Sequence, residues 1–379
     1  MHIRGEVSAA EWAEALRFLP EASRDIYFTP EYHGLHVANK DGEAWCTAVS
    51  DGAQTLLVPG LRVPIPSGFA CGPVANHFDL QSCNGYGGPI ASPGASREFL
   101  EDAWNQWRAC SAAAGMIAAF FRLHPLVDNA RWLPADATVL FDRKTAFVDL
   151  TDGLEAAWHR ADSKHRNMVS KGRREGVEVC WGGADCWMEF EKLYCAAMER
   201  LNAPAALRFS PAYFAHLQRL PGVDLAYVTM NGTLSAAAVF LNGPVWCHYH
   251  LSARRDGTPN HLMNCILQAA FERAAQRGLK GMHLGGGRSS LPSDSLLRFK
   301  CGLGCALVDF KVALVIVDTE QFLRLTAQWA REVGRPPQWL LGYRQPKPPT
   351  APAPSAGADK CASSSAKANG SRPNLVDRQ

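Results

Sequence analysis

The 379-residue sequence lacks the long apolar run that a membrane-spanning helix requires. Its longest stretch of apolar and small residues, Ala112 to Phe121, has about half the necessary length. The N-terminus shows no basic head followed by an apolar block, so we expect no signal peptide and a cytoplasmic location. Charge of one sign is also scarce: 39 Lys and Arg stand against 36 Asp and Glu, a net charge of +3, which gives no support for a DNA-coating protein.

Several motifs that identify common enzyme classes are missing. The 12 cysteines form no CxxC pair and no zinc-ribbon spacing. His248 and His250 share one face of a predicted strand, but no carboxylate stands at a supporting spacing, so we expect no metal site. The three glycines at 285–287 do not form GxGxxG, and neither GxxxxGK[ST] nor GxSxG occurs. These absences argue against a dinucleotide fold, a P-loop NTPase and an α/β-hydrolase.

Two parts of the chain repeat the same order of elements. IYFTPEY at 26–32 is matched by LRFSPAY at 207–213, and each predicts a helix with a Ser or Thr N-cap followed by proline. In both parts a hairpin, a long helix closed by glycine and a strand follow. The hairpin turns are Asp51-Gly52 and Asn231-Gly232, the helices 96–114 and 261–277, and the closing glycines Gly115 and Gly278.

This order predicts an α/β (α+β) fold of two related tandem domains, each a mixed sheet flanked by helices. We place the first domain at 1–148 and the second at 149–318, where Asp152 and Glu155 resemble a capping box. Residues 319–345 are expected to form a helical segment that packs back on the first domain. Residues 346–379 include 20 Pro, Ala, Ser or Gly among 34, carry a net charge of +3, and are expected to be disordered.

Basic residues concentrate at the start of the second domain. From Arg160 to Arg174 there are six basic residues and one acid, along a segment with a helical apolar face. Composition favours a solvated helix face. The alternative is an anion site, with Lys164 and Arg166 as its candidates, for the phosphates of a nucleotide, a carrier lipid or tRNA.

An ordered set of short segments resembles the Fem family of aminoacyl transferases and its FemAB-like relatives, which are built from tandem GNAT-like acyltransferase domains. The segments are YGGPIAS (Tyr86–Ser92), FFRLHPL (Phe120–Leu126), KHRNMVSKGRREGVEV (Lys164–Val179), YHLSA (Tyr249–Ala253), HLGGG (His283–Gly287) and DSLLRFKCGLG (Asp294–Gly304).

The resemblance implies N-acyl transfer to an amine of a cell-envelope precursor, either peptidoglycan or a surface polysaccharide. The acceptor is expected to be a small-molecule or lipid-linked precursor. The donor is expected to be aminoacyl-tRNA or acyl-CoA, with no tightly bound cofactor. Phe299 and Lys300 match the family's FK motif, and Lys300 is expected to stabilise charge on the acyl carbonyl or leaving group. His250 or Asp294 is a candidate general base, and substrate-assisted deprotonation is the alternative.

The same resemblance suggests residues that bind substrate. Arg208 and Tyr213 are similar to positions that contact the acceptor, and His36 falls near a basic contact to acceptor phosphate. Tyr249 and the backbone of Gly285, Gly286 and Gly287 complete the expected substrate-binding set.

One departure concerns the donor. Where CoA-dependent GNAT domains carry [QR]xxGx[GA], this chain has RRDGTP, and Pro259 removes a backbone N–H donor. Two other functions stay open at this point. One is a CoA-dependent N-acetyltransferase of a small amine or amino sugar, and the other is a non-catalytic protein that binds tRNA or another nucleic acid.

Overall fold

The computed structural model describes residues 2–69, 77–291 and 293–348. The tail expected to be disordered lies outside these residues from position 349 onward. The described strands are β1 His2–Glu6, β2 Glu43–Ser50, β3 Thr55–Pro64, β4 Phe78–Gln81, β5 Ile90–Ala91, β6 Met116–Arg122, β7 Thr138–Asp149, β8 Cys180–Trp181, β9 Val223–Met230, β10 Thr233–Asn242, β11 Trp246–Arg254, β12 Gly281–Gly286 and β13 Ala306–Ile316. The described helices are α1 Ala9–Arg17, α2 Pro30–Ala38, α3 Arg97–Ala113, α4 Leu154–Arg160, α5 Ser163–Arg174, α6 Ala184–Arg200, α7 Pro211–Leu217, α8 His261–Gln276, α9 Ser295–Cys301 and α10 Thr319–Val333.

One continuous mixed sheet runs through the molecule, which confirms the predicted α/β class. Its strand order is β1-β2-β3-β4-β6-β13-β7-β12-β11-β10-β9-β8, and β5 pairs with β3. Each end of the sheet is an antiparallel series that finishes in one parallel pair, β4 with β6 and β11 with β12. The duplication seen in the sequence is therefore present in the topology. We call strands β1 to β6 the first half and β8 to β12 the second half.

The two central strands are exchanged between the halves. β7 follows the first half in the chain, yet it pairs with β12 of the second half. β13 follows the second half, yet it pairs with β6 of the first half. The two exchanged strands also pair with each other over most of their length. The sheet of the first half is therefore extended by β13, and the sheet of the second half is extended by β7.

The local signals in the repeated segments are confirmed. Thr29 and Ser210 cap α2 and α7 through their side chains, with proline at the first helical position. Asn231 and Gly232 both have positive φ, 50° and 71°, in the turn between β9 and β10. Positive φ at both central residues is the type I′ geometry that matches strand twist in a hairpin.

The start of the second half differs from the prediction in two ways. The capping box at Asp152 and Glu155 is wrong, because Gly153 is the N-cap of α4 and no side chain caps that helix. The basic segment also forms two helices where one was predicted. Ala161 is extended with ψ 146°, and the Asp162 carboxylate accepts the His165 N–H to begin α5. The break occurs because Asp162 satisfies the free N–H groups of a new helix.

Helix α10 packs its apolar face, which includes Phe322, Leu325 and Trp329, against residues of β6 and β13. Beyond it, the Tyr343 hydroxyl and the Arg344 guanidinium both bind the buried Asp79 carboxylate, at 2.7 and 2.5 Å. Among the described residues, none of the helices has both the length and the apolar character needed to cross a bilayer.

Candidate active site

The parallel strands β11 and β12 separate after a short paired stretch. Their register runs from Trp246 opposite Gly281 to His248 opposite His283 and then stops, while β11 continues to Arg254. The equivalent pair in the first half stays closed. There β4 pairs with β6 to its last residue, and the Ser82 N–H then continues the ladder to the Phe120 carbonyl at 3.0 Å. Among the described strands, the parallel pair β11 and β12 of the second half therefore forms an open wedge, whereas β4 and β6 of the first half do not.

Helix α9 brings Lys300 to the mouth of this wedge. The Asp294 carboxylate begins the helix by accepting the N–H groups of Leu296 and Leu297, both at 2.9 Å. Lys300 is only 6% exposed, and its Nζ donates to the Gly286 carbonyl at 2.6 Å. Burial lowers the pKa of Lys300 to about 8, and the like charge of Arg143 acts in the same direction. The amine is therefore cationic near neutral pH but close to releasing its proton.

Each of the three consecutive glycines has its own steric reason. Gly285 has φ +73°, the left-handed conformation that side chains disfavour. A Cβ on Gly286 would lie 2.9 Å from Cδ of Arg143, and one on Gly287 would lie 2.5 Å from Oδ1 of Asp294. The absence of a Cβ at Gly286 and at Gly287 therefore leaves room for Arg143 and Asp294 to lie against the backbone beside Lys300.

Two aromatic residues from the sequence analysis border the same site. The Tyr249 ring centre lies 6.0 Å from the Lys300 Nζ, and its hydroxyl donates to Ser252 Oγ at 2.5 Å. Burial raises the pKa of Tyr249 to about 12, so the phenol stays protonated. Phe299 is half-buried and packs against the apolar core of the second half. The structure therefore brings Lys300, Phe299, Tyr249 and the three glycines together.

A second group of predicted residues meets where the two halves face each other. Tyr213 is fully buried and its hydroxyl lies 2.7 Å from Nε2 of His250. Burial lowers the pKa of His250 to about 3, so the imidazole in this hydrogen bond is neutral. The His36 ring lies 5.7 Å from the Tyr213 ring, and its Nδ1 lies 2.7 Å from Oδ2 of Asp41. His36 is 0% exposed and is held inside the protein.

Three predicted residues lie outside both groups. Arg208 is exposed, and its Nε donates to the Ala203 carbonyl at 3.0 Å. Lys164 is exposed on α5. The Arg166 guanidinium donates to the carbonyls of Ala161 and His159, so it caps the end of α4. Their binding roles stay predictions.

A cluster that the sequence analysis missed lies between the halves. Asp25, His124 and His248 are almost fully buried, and their potential metal-ligand atoms lie within 4.8 Å of one another. The Asp25 carboxylate is 2.8 Å from Nε2 of His248 and 3.5 Å from Nε2 of His124. Burial opposes ionisation of Asp25, but His248 and His124 hold its pKa well below the usual range.

Hydrogen bonding argues against a metal ion at this cluster. Nδ1 of His124 accepts the backbone N–H of Leu126 at 3.2 Å, so the proton of a neutral ring sits on Nε2. A ligating histidine needs the lone pair of that same Nε2 and donates through its other nitrogen. We therefore interpret the cluster as a buried carboxylate that hydrogen-bonds His248 of the second half and lies 3.5 Å from Nε2 of His124 of the first half. No sequence spacing pointed to it, since its members are over 90 residues apart.

The turn where a GNAT domain would bind pyrophosphate is filled by the chain's own groups. The Arg254 guanidinium donates to the Thr258 carbonyl, and Arg255 Nε donates to the Leu234 carbonyl at 3.0 Å. In the first turn of α8, Nε2 of His261 lies 3.0 Å from the Glu175 carboxylate. A carboxylate at a helix N-terminus occupies the place where an anionic ligand gains most.

No model of a known protein family matches this sequence, and no curated protein matches it. Solved structures do match. The crystal structure of FemX has a TM-score of 0.67 at 11% identity, over 86% of this chain and 99% of that chain. The structure of L-PGS from Bacillus licheniformis has a TM-score of 0.53 at 14% identity, over 87% and 98%. The C-terminal domain of a putative lysylphosphatidylglycerol synthetase from Agrobacterium fabrum has a TM-score of 0.52 at 15% identity, over 81% and 92%. This chain therefore has the fold of FemX, as the resemblance implied.

Proposed function

We propose that this protein is an N-acyltransferase that moves an aminoacyl or acyl group onto an amine of a cell-envelope precursor. The observation that carries the proposal is the buried Lys300 amine at the mouth of the open wedge, 2.6 Å from the Gly286 carbonyl. The fold shared with FemX supports acyl transfer, and one structural neighbour is named as a domain of a putative lysylphosphatidylglycerol synthetase.

The chemistry would proceed through attack of the acceptor amine on the acyl carbonyl carbon. A new C–N bond forms, the carbonyl oxygen becomes an oxyanion, and the C–O bond to the leaving group then breaks. The Lys300 ammonium would stabilise the negative charge and give a proton to the departing oxygen. The proton lost from the acceptor nitrogen would restore Lys300. A pKa of about 8 suits both steps near neutral pH.

We favour aminoacyl-tRNA over acyl-CoA as the donor. The pyrophosphate turn is filled by Arg254 and Arg255, and Glu175 lies at the start of α8. The exposed residues Lys164 and Arg174 leave α5 with a basic surface that suits an RNA backbone. A tRNA donor would place the reaction in the cytoplasm.

The acceptor would approach from the surface between the two halves. Tyr213 and His250 lie there, and Tyr86 is partly exposed with its ring centre 5.0 Å from that of His283. Tyrosine and histidine side chains offer hydrogen bonds and stacking surfaces to a sugar or peptide group. We favour a small-molecule or lipid-linked envelope precursor as the acceptor.

The test is a transfer assay with purified protein. One set of reactions contains a radiolabelled aminoacyl-tRNA pool and the other labelled acetyl-CoA, each with a nucleotide-linked peptidoglycan peptide as acceptor. We expect labelled product with aminoacyl-tRNA. Removing an oxyanion partner typically costs about 10²–10³ in rate, so Lys300→Met should lose at least that much. Lys280→Met is the control, because Lys280 is an exposed lysine of the same half.

Three results would contradict the proposal. Full transfer by Lys300→Met would remove Lys300 from the mechanism. Product with acetyl-CoA alone would support the CoA-dependent alternative. Salt-dependent tRNA binding without product in any reaction would instead indicate a non-catalytic nucleic-acid-binding protein.

A further inference from the structure

Strand β7 contributes an irregular segment to the Lys300 site. Because β7 is exchanged, Thr145 and Ala146 pair with Gly286 and Gly285 of the second half. The ladder between β7 and β13 shifts register between Phe310 and Lys311, which pair with Arg143 and Phe141. Asp142 is the extra residue at this shift. A bulge of this kind changes the direction of the side chains beside it.

The bulge lets two consecutive residues meet. Neighbours on a regular strand point to opposite faces, yet Arg143 Nε donates to the Asp142 carboxylate at 2.5 Å. The Asp142 side chain is 0% exposed and that of Arg143 is 10% exposed. Asp142 thus holds the Arg143 guanidinium at a fixed place inside the protein.

Gly286 lies between this guanidinium side chain and Lys300. Its missing Cβ leaves room for the Arg143 stem, since an added Cβ would lie 2.9 Å from Cδ. Its carbonyl oxygen accepts the bond from Lys300 at 2.6 Å. Two cationic side chains therefore approach the same residue of β12, one from the exchanged strand β7 and one from helix α9.

We propose that Arg143 is a positioning residue for Lys300: it lies on the exchanged strand β7 and lowers the proton affinity of the catalytic amine in the second half. The consequence for catalysis rests on the proposed function. The charge effect itself does not, because it follows from two cations beside Gly286. A fixed positive charge disfavours a second one nearby, which makes the amine readier to give its proton to a leaving group.

Other ionisable groups also surround Lys300. On β7 the Asp142 carboxylate pairs with Arg143, so its negative charge partly offsets that of the guanidinium. Asp294, at the N-cap of α9, and Cys305, before β13, favour the charged amine. On β11 the Tyr249 ring lies 6.0 Å away, and on β12 the buried His283 is influenced by the Lys300 charge. Burial is the largest cause of the lowered Lys300 pKa, and Arg143 is the cation that adds to it.

The test is an NMR titration of protein labelled with ¹³C at the lysine ε carbon. Lys300→Met assigns the Lys300 signal, and its titration midpoint is read from pH 6.5 to 10.5. We expect a midpoint near pH 8 in the wild type. In Arg143→Met it should rise by about one pH unit, as expected for the loss of a nearby like charge. Arg143→Lys should keep the low midpoint, and Arg97→Met, which removes an exposed arginine, should leave it unchanged.

Removing Arg143 leaves the buried Asp142 carboxylate without this partner, so the double variant Asp142→Asn, Arg143→Met is tested beside Arg143→Met. Its Lys300 midpoint should also rise, but by less than in Arg143→Met, because the negative charge of Asp142 is removed as well. An unchanged midpoint in these variants, or a raised midpoint in Arg143→Lys, overturns the proposal. In the transfer assay, the alkaline limb of the pH profile should move with the midpoint. A shifted midpoint in a protein that transfers nothing would refute the proposed function and leave the coupling intact.

Discussion

Replacing Lys300 with methionine should stabilise the protein while it removes activity. The substitution keeps a flexible, unbranched side chain of similar length and deletes the charge. In the wild type, burial lowers the pKa of Lys300 from 10.5 to about 8. At 1.36 kcal/mol for each pH unit, keeping this amine charged inside the protein costs about 3 kcal/mol. The residue is only 6% exposed, so solvent screening reduces this figure little.

Methionine also leaves the Gly286 carbonyl without its donor, which costs about 1 kcal/mol. The expected net gain at pH 7 is therefore about 2 kcal/mol. The pH dependence identifies the cause. A lysine with a lowered folded pKa releases its proton earlier in the folded state, so wild-type stability rises as the pH climbs from about 8 towards 10.5. By pH 9.5 the wild type should recover roughly 2 kcal/mol, which removes the advantage of the variant.

Urea unfolding at pH 7.0 and 9.5, followed by tryptophan fluorescence, measures both quantities. Lys280→Met serves as the exposed control and should match the wild type at both pH values. A Lys300→Met protein that is less stable than the wild type at pH 7 would refute the reasoning. So would an advantage that persists unchanged at pH 9.5, because the gain would then not come from the buried charge.

Two further predictions concern the same half and the interior. Gly287→Ala places a Cβ 2.5 Å from the Asp294 carboxylate and should disturb the N-cap of α9, at a cost of about 1–2 kcal/mol in the free energy of unfolding by urea. The control is Gly94→Ala, whose added Cβ meets no atom within 4 Å and should cost far less. Equal costs for the two variants would argue against the clash with Asp294. Burial lowers the pKa of both His33 and His250 to about 3, so the unfolded chain binds more protons around and below pH 6.5, and stability should fall by about 3 kcal/mol between pH 6.5 and 5. His33→Gln should remove about half of this loss, and equal stability of the wild type at the two pH values would contradict it.

The sequence predicted the features that depend on local chemistry. Thr29 and Ser210 predict the starts of α2 and α7, because a hydroxyl side chain accepts a free N–H group of the first turn and the following proline already has a helical φ. Asn231-Gly232 predicts the hairpin between β9 and β10, because both residues tolerate positive φ. Lys300 was predicted through the resemblance to the FK motif, and its contact with Gly286 spans only 14 residues of the chain.

Features that depend on long-range pairing had no signal in the sequence. Arg143 reaches the Lys300 site because β7 crosses to the second half and bulges there, and neither event has a local sequence pattern. Asp25 and His248 meet across 223 positions of the chain. The interruption between α4 and α5 was missed for a different reason. The apolar period continues through Ala161, while the single carboxylate of Asp162 begins a new helix.

The exchange of β7 and β13 has a consequence for synthesis on the ribosome. The first half needs β13 to cover the edge of β6, and β13 ends at Ile316, 167 residues after the end of β7 at Asp149. At 5–20 residues per second, roughly 8 to 30 seconds pass before that strand exists. During this time the nascent chain carries an open, apolar strand edge, the kind that pairs with other chains. The strand exchange that places Arg143 beside Lys300 therefore also makes the nascent protein a candidate client for chaperones that shield nascent chains.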